Sequence, residues 1–127
     1  MNVRPYKKED FAQVKSWANR FGTQYRESQF PETGFIVDGV AAYFLYKTNS
    51  SVCFLENLIS NRMASKNDRD HAIELVIKEA LKTATELGFE IAYATTDVPQ
   101  VVMRAMIHGA QATPKQTLLT KQLAHLK

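Results

Sequence analysis

The chain has 127 residues, 45% apolar and 23% charged, with a formal net charge of +3. This length suits a single domain with an ordinary core, and the composition excludes disordered and fibrous classes. Lys and Arg are spread along the chain, which disfavours nucleic acid as a partner, because such binders carry a denser basic stripe with aromatics between the charges. The opening MNVRPYKKEDF is charged where a signal peptide needs an apolar run, and no stretch approaches the ~18 apolar residues of a membrane span. A cytoplasmic protein with no membrane partner is expected. Cys53 is the single cysteine, so no intrachain disulfide can form, and its apolar setting VCFLE reads as a buried thiol in preference to a nucleophile.

A first strand is predicted from Met1 to Tyr6, then a helix beginning near Lys8. Phe11, Val14, Trp17, Ala18 and Phe21 recur at helical spacing, which makes Trp17 a core residue, and Gly22 is placed to end the helix. The polar stretch from Thr23 to Thr33 is a loop or a short second helix. GFIVDGVAAYFLY then puts Asp38-Gly39 between two apolar runs, the chemistry of a tight hairpin with positive φ at both central positions. KTNSS turns the chain again into a strand from Val52 to Ile59. A helix follows from about Asp68 to Leu87, with Ile73, Val76, Ile77, Ala80, Ala84 and Leu87 on one face and Gly88 at its end. FEIAYATT is a near-continuous apolar run and predicts a buried strand parallel to the one before the helix. Pro99 starts a further helix to about His108, Gly109 ends it, and TLLTKQL is a last, edge-like strand.

This order of elements resembles the GNAT (N-acetyltransferase) superfamily over nearly the whole chain. VRPYKKEDFAQVKSW looks like the family's opening strand and first helix, and HGAQ and LLTKQL look like its end. The resemblance implies one α/β (α+β) domain over residues 1–127: a mixed sheet of about six strands with an antiparallel N-terminal half, one β-helix-β crossover, and helices on both faces. It implies acetyl-CoA as the cofactor and an amine as the second substrate, and it is compatible with a homodimer. The brevity and eroded motifs also resemble reduced bacteriophage members of this shape, which would place the protein in a host cytoplasm.

In that family the strand matching 52–59 splays from the strand matching 90–95, and the coenzyme's pantetheine arm lies in the gap, which implicates Leu58 and Ile59. The pyrophosphate sits on the N-terminus of the next helix, where unsatisfied N–H groups and the helix dipole favour anions. That implicates Asn61, Arg62, Asn67, Arg69, Asp70, His71 and Ala72. The family's loop signature is Gln or Arg, two residues, Gly, one residue, then Gly or Ala; here Asn67, Asp70 and Ala72 take those places. Asn67 can still hydrogen-bond, but Asp70 adds a Cβ and a negative charge where the backbone should approach phosphate. At ~5 Å and an effective dielectric of 20 the repulsion is about 3 kcal/mol, against the ~0.3–1 kcal/mol the helix dipole offers. Arg62, Lys66 and Arg69 are the cations available to offset it. The other reading of this stretch has Asp68 or Asp70 capping the helix, with Lys66 and Arg69 solvated.

Amide formation from an acyl thioester needs an amine freed of its proton, a polarised carbonyl and a proton for the leaving thiolate. Glu56 interrupts an apolar strand and is the candidate base, in a place where similar strands of the family carry a catalytic Glu; its other reading is a polar residue on the strand's solvent face. The family's usual acid, a Tyr in the helix before its final glycine, falls on Ala105, and its usual Asn falls on Val98. Tyr93 is the candidate substitute acid, or a core aromatic. His71, His108 and His125 lack metal-ligand spacing, and no metal is expected; His71 either hydrogen-bonds phosphate or lies exposed and idle. Two functions follow: an acyl-CoA-dependent N-acyltransferase working by direct attack in a ternary complex, or a catalytically inactive GNAT-fold binding or structural module.

Overall fold

The computed structural model describes residues 1–18, 24–96, 98–113 and 121. The chain divides into two compact units, Met1–Thr95 and Thr96–Lys127.

The first unit holds β1 (Val3–Pro5), α1 (Phe11–Ala18), β2 (Gly34–Val37), β3 (Ala41–Tyr46), β4 (Val52–Ser60), α2 (Lys66–Glu86) and β5 (Ile91–Tyr93). The strands lie in sequence order in one sheet. Neighbours are antiparallel from β1 to β4, and β5 joins β4 in parallel after the α2 crossover. This is the mixed arrangement expected from the change of hydrophobic period along the chain. The sheet has five strands among the described residues, where the sequence predicts about six; TLLTKQL, the predicted sixth, lies outside the described residues except for Lys121.

Alternation along the strands sorts the core onto two faces. Val37, Tyr43, Leu45, Cys53 and Leu55 pack against Ala72, Val76, Ile77, Ala80 and Ala84 of α2. On the opposite face Ile36, Ala42, Phe44 and Ile59 meet Val14, Trp17 and Ala18 of α1, with Tyr6 and Phe30. Helices therefore cover both faces. Trp17 is buried, as its helical spacing predicts, and so is Cys53, whose thiol is pushed up by burial.

Several boundaries differ from the sequence reading. The predicted first helix opens as a 3-10 turn over Lys8–Asp10, and its predicted end at Phe21 and Gly22 lies outside the described residues. The stretch after it contains a 3-10 turn, Glu27–Gln29. In the β2–β3 hairpin only Gly39 takes positive φ, +75°; Val40 N–H bonds back to the Val37 carbonyl, so a three-residue connection replaces the predicted two-residue turn. Asp38 can keep ordinary φ there, and its carboxylate is held by Arg4, which also grips Asp10. The predicted buried strand FEIAYATT is the largest departure: β5 spans three residues, all exposed.

In the second unit α3 (Pro99–Ile107) begins with Pro99 in its first turn, where a missing N–H costs nothing, and Gly109 follows it at positive φ.

Candidate functional site

The β4–β5 ladder joins Val52 to Ile91, Cys53 to Ala92 and Phe54 to Tyr93, and then stops. From Leu55 to Ser60, β4 runs on along β3 with no β5 residue paired to it. The two parallel strands thus form a fork whose closed end is the Phe54–Tyr93 pair. Continued register would set Thr95 opposite Glu56. Instead of a backbone ladder, the Glu56 carboxylate bridges the gap: one oxygen accepts the Thr95 N–H at 2.7 Å and the other accepts the Thr95 hydroxyl at 2.9 Å.

Beside Glu56, β4 contains a bulge. Ala42 pairs with Ile59 and Phe44 with Glu56, so β4 carries one more residue than β3 over this interval. Asn57 is the residue that absorbs it, at φ +61°, the only non-glycine with positive φ among the described residues. Asn tolerates the left-handed region better than other side chains with a Cβ. The bulge reverses the inside-outside alternation. Leu55 faces α2, yet Leu58, three residues on, packs with the same cluster, while Ile59 joins the α1 face.

A chain of hydrogen bonds holds the bulge. The Tyr25 hydroxyl donates to Asn57 Oδ1 at 2.9 Å, Asn57 Nδ2 donates to the Tyr46 hydroxyl at 2.6 Å, and Tyr46 donates to the Gln29 carbonyl at 2.8 Å. Burial raises the pKa of both tyrosines, and the nearby Glu56 charge raises them further. Both therefore stay protonated as donors at neutral pH. Tyr25, Tyr46, Asn57 and Thr95 are residues the sequence reading did not single out. The signal available was the Glu56-Asn57 pair inside an apolar strand, an arrangement with more polarity than a plain ladder needs.

The predicted phosphate-binding stretch is built differently from its reading. The helix begins at Lys66, and its cap is Ser65, whose side chain accepts the Asp68 N–H at 3.1 Å. Neither Asp68 nor Asp70 is the cap. Asn67, Asp70 and Ala72 therefore sit inside the helix, with the loop proper at 61–65. Asp70 lies in the second turn and pairs with Lys66 at 2.9 Å on the surface. Arg69 turns back to the loop, donating to the carbonyls of Arg62 and Ala64. Asn61 ties the loop to the β2–β3 turn: its side-chain amide donates to the Gly39 carbonyl and its side-chain oxygen accepts the Met63 N–H. Ala72 is fully buried against the sheet, while Asn67 and His71 are exposed. Because Ser65 satisfies Asp68, the first-turn N–H groups it leaves over are those of Lys66 and Asn67.

Leu58 and Ile59 flank the fork on opposite faces of β4, and Ile59 is buried. Tyr93 is not the core aromatic of the second reading: it is 53% exposed and its ring rests 5.8 Å from that of Phe54. The two cavities described lie away from the fork, one of about 320 Å³ between the β1–β2 end and α2 near Glu79, the other of about 150 Å³ under the α2–β5 connection. An open fork between diverging strands is a groove, not a closed cavity. Among the described residues no His, Cys, Asp and Glu group is arranged to hold a metal, and no helix is long and apolar enough to cross a membrane.

No protein-family model matches the chain, and no curated protein matches it. Solved structures do. A transcriptional regulator from Bacillus halodurans C-125 superposes with a TM-score of 0.71 at 12% identity, over 94% of this chain and 99% of that one. The Mycobacterium tuberculosis protein Rv2747, in complex with CoA and NLQ, gives 0.70 at 13% identity over 91% and 76%. An aminoglycoside acetyltransferase from an uncultured soil metagenomic sample, in complex with sisomicin, gives 0.67 at 11% identity over 97% and 96%. The chain has the fold of the GNAT acetyltransferases.

Proposed function

We propose that the protein is an acyl-CoA-dependent N-acyltransferase that moves an acetyl group to an amine by direct attack. The observation that carries this reading is the fork at Phe54 and Tyr93 with the Asn57 bulge on its rim. Buried or half-buried backbone groups left without a ladder partner need one from elsewhere, and an extended amide-bearing arm such as pantetheine supplies it. Acetyl-CoA would bring an activated thioester; Leu58 and Ile59 would flank its arm, and the N–H groups of Lys66 and Asn67 would face its phosphates at the positive end of α2. Lys66, Arg69 and Arg62 are the cations nearest that end in sequence. Glu56 is the base candidate, on the fork and exposed enough to reach an amine. Tyr93, exposed beside Phe54, is the acid candidate.

The predicted charge penalty at Asp70 is smaller than the sequence reading makes it, because Lys66 pairs with Asp70 at the surface and residue 70 lies in the second turn of α2. CoA in one structural neighbour and an aminoglycoside in another support an acyl-CoA donor and an amine acceptor. Isothermal calorimetry with acetyl-CoA tests the reading: micromolar binding supports it, and no heat at millimolar coenzyme refutes it. A second reading, a coenzyme-free binding module, is favoured by the loop, where Asn61, Ser65 and Arg69 consume polar groups that a glycine loop would leave for phosphate.

A further inference from the structure

The Glu56–Thr95 bridge occupies the place where the fork opens. Glu56 is the first β4 residue on its face beyond the last ladder pair, and both of its carboxylate oxygens are engaged by one residue of the opposite prong. A carboxylate taking an N–H and an O–H at these distances makes charge-assisted bonds, stronger than the neutral bonds of a ladder. The Thr95 N–H lies on that prong two residues past the last ladder pair. An extended ligand laid along the fork as an added strand would present a carbonyl to it. Ligand and Glu56 therefore compete for one donor.

We propose that the Glu56–Thr95 bridge is a latch on the fork, released when an extended amide-bearing ligand enters and takes over the Thr95 N–H. The inference rests on the acyl-coenzyme reading above. Its consequence is a coupling: Glu56 is tethered to Thr95 while the fork is empty and is free to face an amine once the fork is filled. Binding and arming of the base become one event, which would hold the carboxylate away from solvent-borne amines in the absence of donor. The cost is borne in affinity, since a ligand that must break the latch binds more weakly by the latch's net worth.

The test is calorimetry of acetyl-CoA binding to the wild type, Glu56→Ala, Thr95→Val and the double variant, with the Thr95 amide followed by ¹⁵N NMR. Thr95→Val keeps the N–H but removes the hydroxyl, so it weakens the latch without touching Glu56. Glu56→Ala should bind about tenfold more tightly than the wild type, the equivalent of ~1.4 kcal/mol and close to the lower bound for a hydrogen bond to a charged group. Thr95→Val should bind more tightly by a smaller factor, and the double variant no more tightly than Glu56→Ala, because both changes remove one interaction. In the wild type the Thr95 amide resonance should move on acetyl-CoA addition. Equal affinity in all four proteins overturns the latch and leaves the coenzyme reading standing. Absence of binding in all four removes the coenzyme reading and the latch with it.

Discussion

Replacing Asn57 by alanine and by glycine should give an order of stability opposite to that of ordinary strand positions. In a regular strand Ala is the better residue, since Gly loses more entropy on folding, by ~0.4–1 kcal/mol. At position 57 the backbone is held at φ +61°, where a Cβ costs ~1–2 kcal/mol that Gly does not incur. Both variants lose the bonds to Tyr25 and Tyr46, each with a net worth of ~0.5–1.5 kcal/mol. Asn57 already carries that Cβ, so Asn57→Ala should destabilise by about 1–3 kcal/mol, and Asn57→Gly by ~0.5–1 kcal/mol less once the unfolded-state difference is taken off. Urea unfolding, with an unchanged slope, measures both. If Asn57→Ala proves as stable as Asn57→Gly or more so, the bulge is not held in the left-handed conformation, and the reversal of faces between Leu58 and Ile59 needs another cause.

Other expectations concern charge and space. Asp10 is held below the usual carboxylate range, chiefly by Arg4 and also by the Lys7 N–H, against an opposing effect of burial. Its stabilising contribution is present above the unfolded value of ~3.9 and is lost as pH falls through its depressed folded value; Asp10→Asn should lower stability at pH 7 by about 1–3 kcal/mol and flatten the acid limb of a thermal-melt series. Asp70→Gly should change acetyl-CoA affinity by less than about threefold, because Lys66 already offsets the charge, while lowering stability by ~0.5–1 kcal/mol through the helix interior; calorimetry and urea unfolding separate the two. Gly34→Ala would place a Cβ 2.7 Å from the Phe44 ring and 3.0 Å from Tyr6 Cβ, and should cost about 1–3 kcal/mol in the same unfolding assay.

Periodicity carried most of the sheet and both packed helices. The α2 stripe through Val76, Ile77, Ala80 and Ala84 lies on the sheet as its spacing predicts, since a helix face and a strand face differ in period and little else can produce the pattern. FEIAYATT failed for the same reason: an apolar run reports apolar residues, not what covers them. Asn57 was illegible because a bulge is one extra residue whose sign is a backbone dihedral, and no periodic count registers it until the partner strand is known. The cap was misread because Ser65 and Asp68 stand three residues apart and either can look like the capping residue; the 3.1 Å bond from the Asp68 N–H to Ser65 decides it. Of the proposed site, Glu56 was visible as a charge inside an apolar strand. Its partner Thr95 lies 39 residues away and could be found only through the parallel register.

The two halves of the proposed coenzyme site have different origins. The fork is made by backbone: a ladder that stops at Phe54 and Tyr93, and a strand bulged at Asn57. Many side chains are compatible with that geometry. The phosphate end is made by a loop whose amides must stay unspent, and here Asn61 takes the Met63 N–H and Ser65 takes that of Asp68. A protein of this kind would draw its coenzyme affinity more from the arm than from the pyrophosphate. That ordering fits a latch placed on the arm, at Glu56 and Thr95, because a control point is effective only where the binding free energy is concentrated.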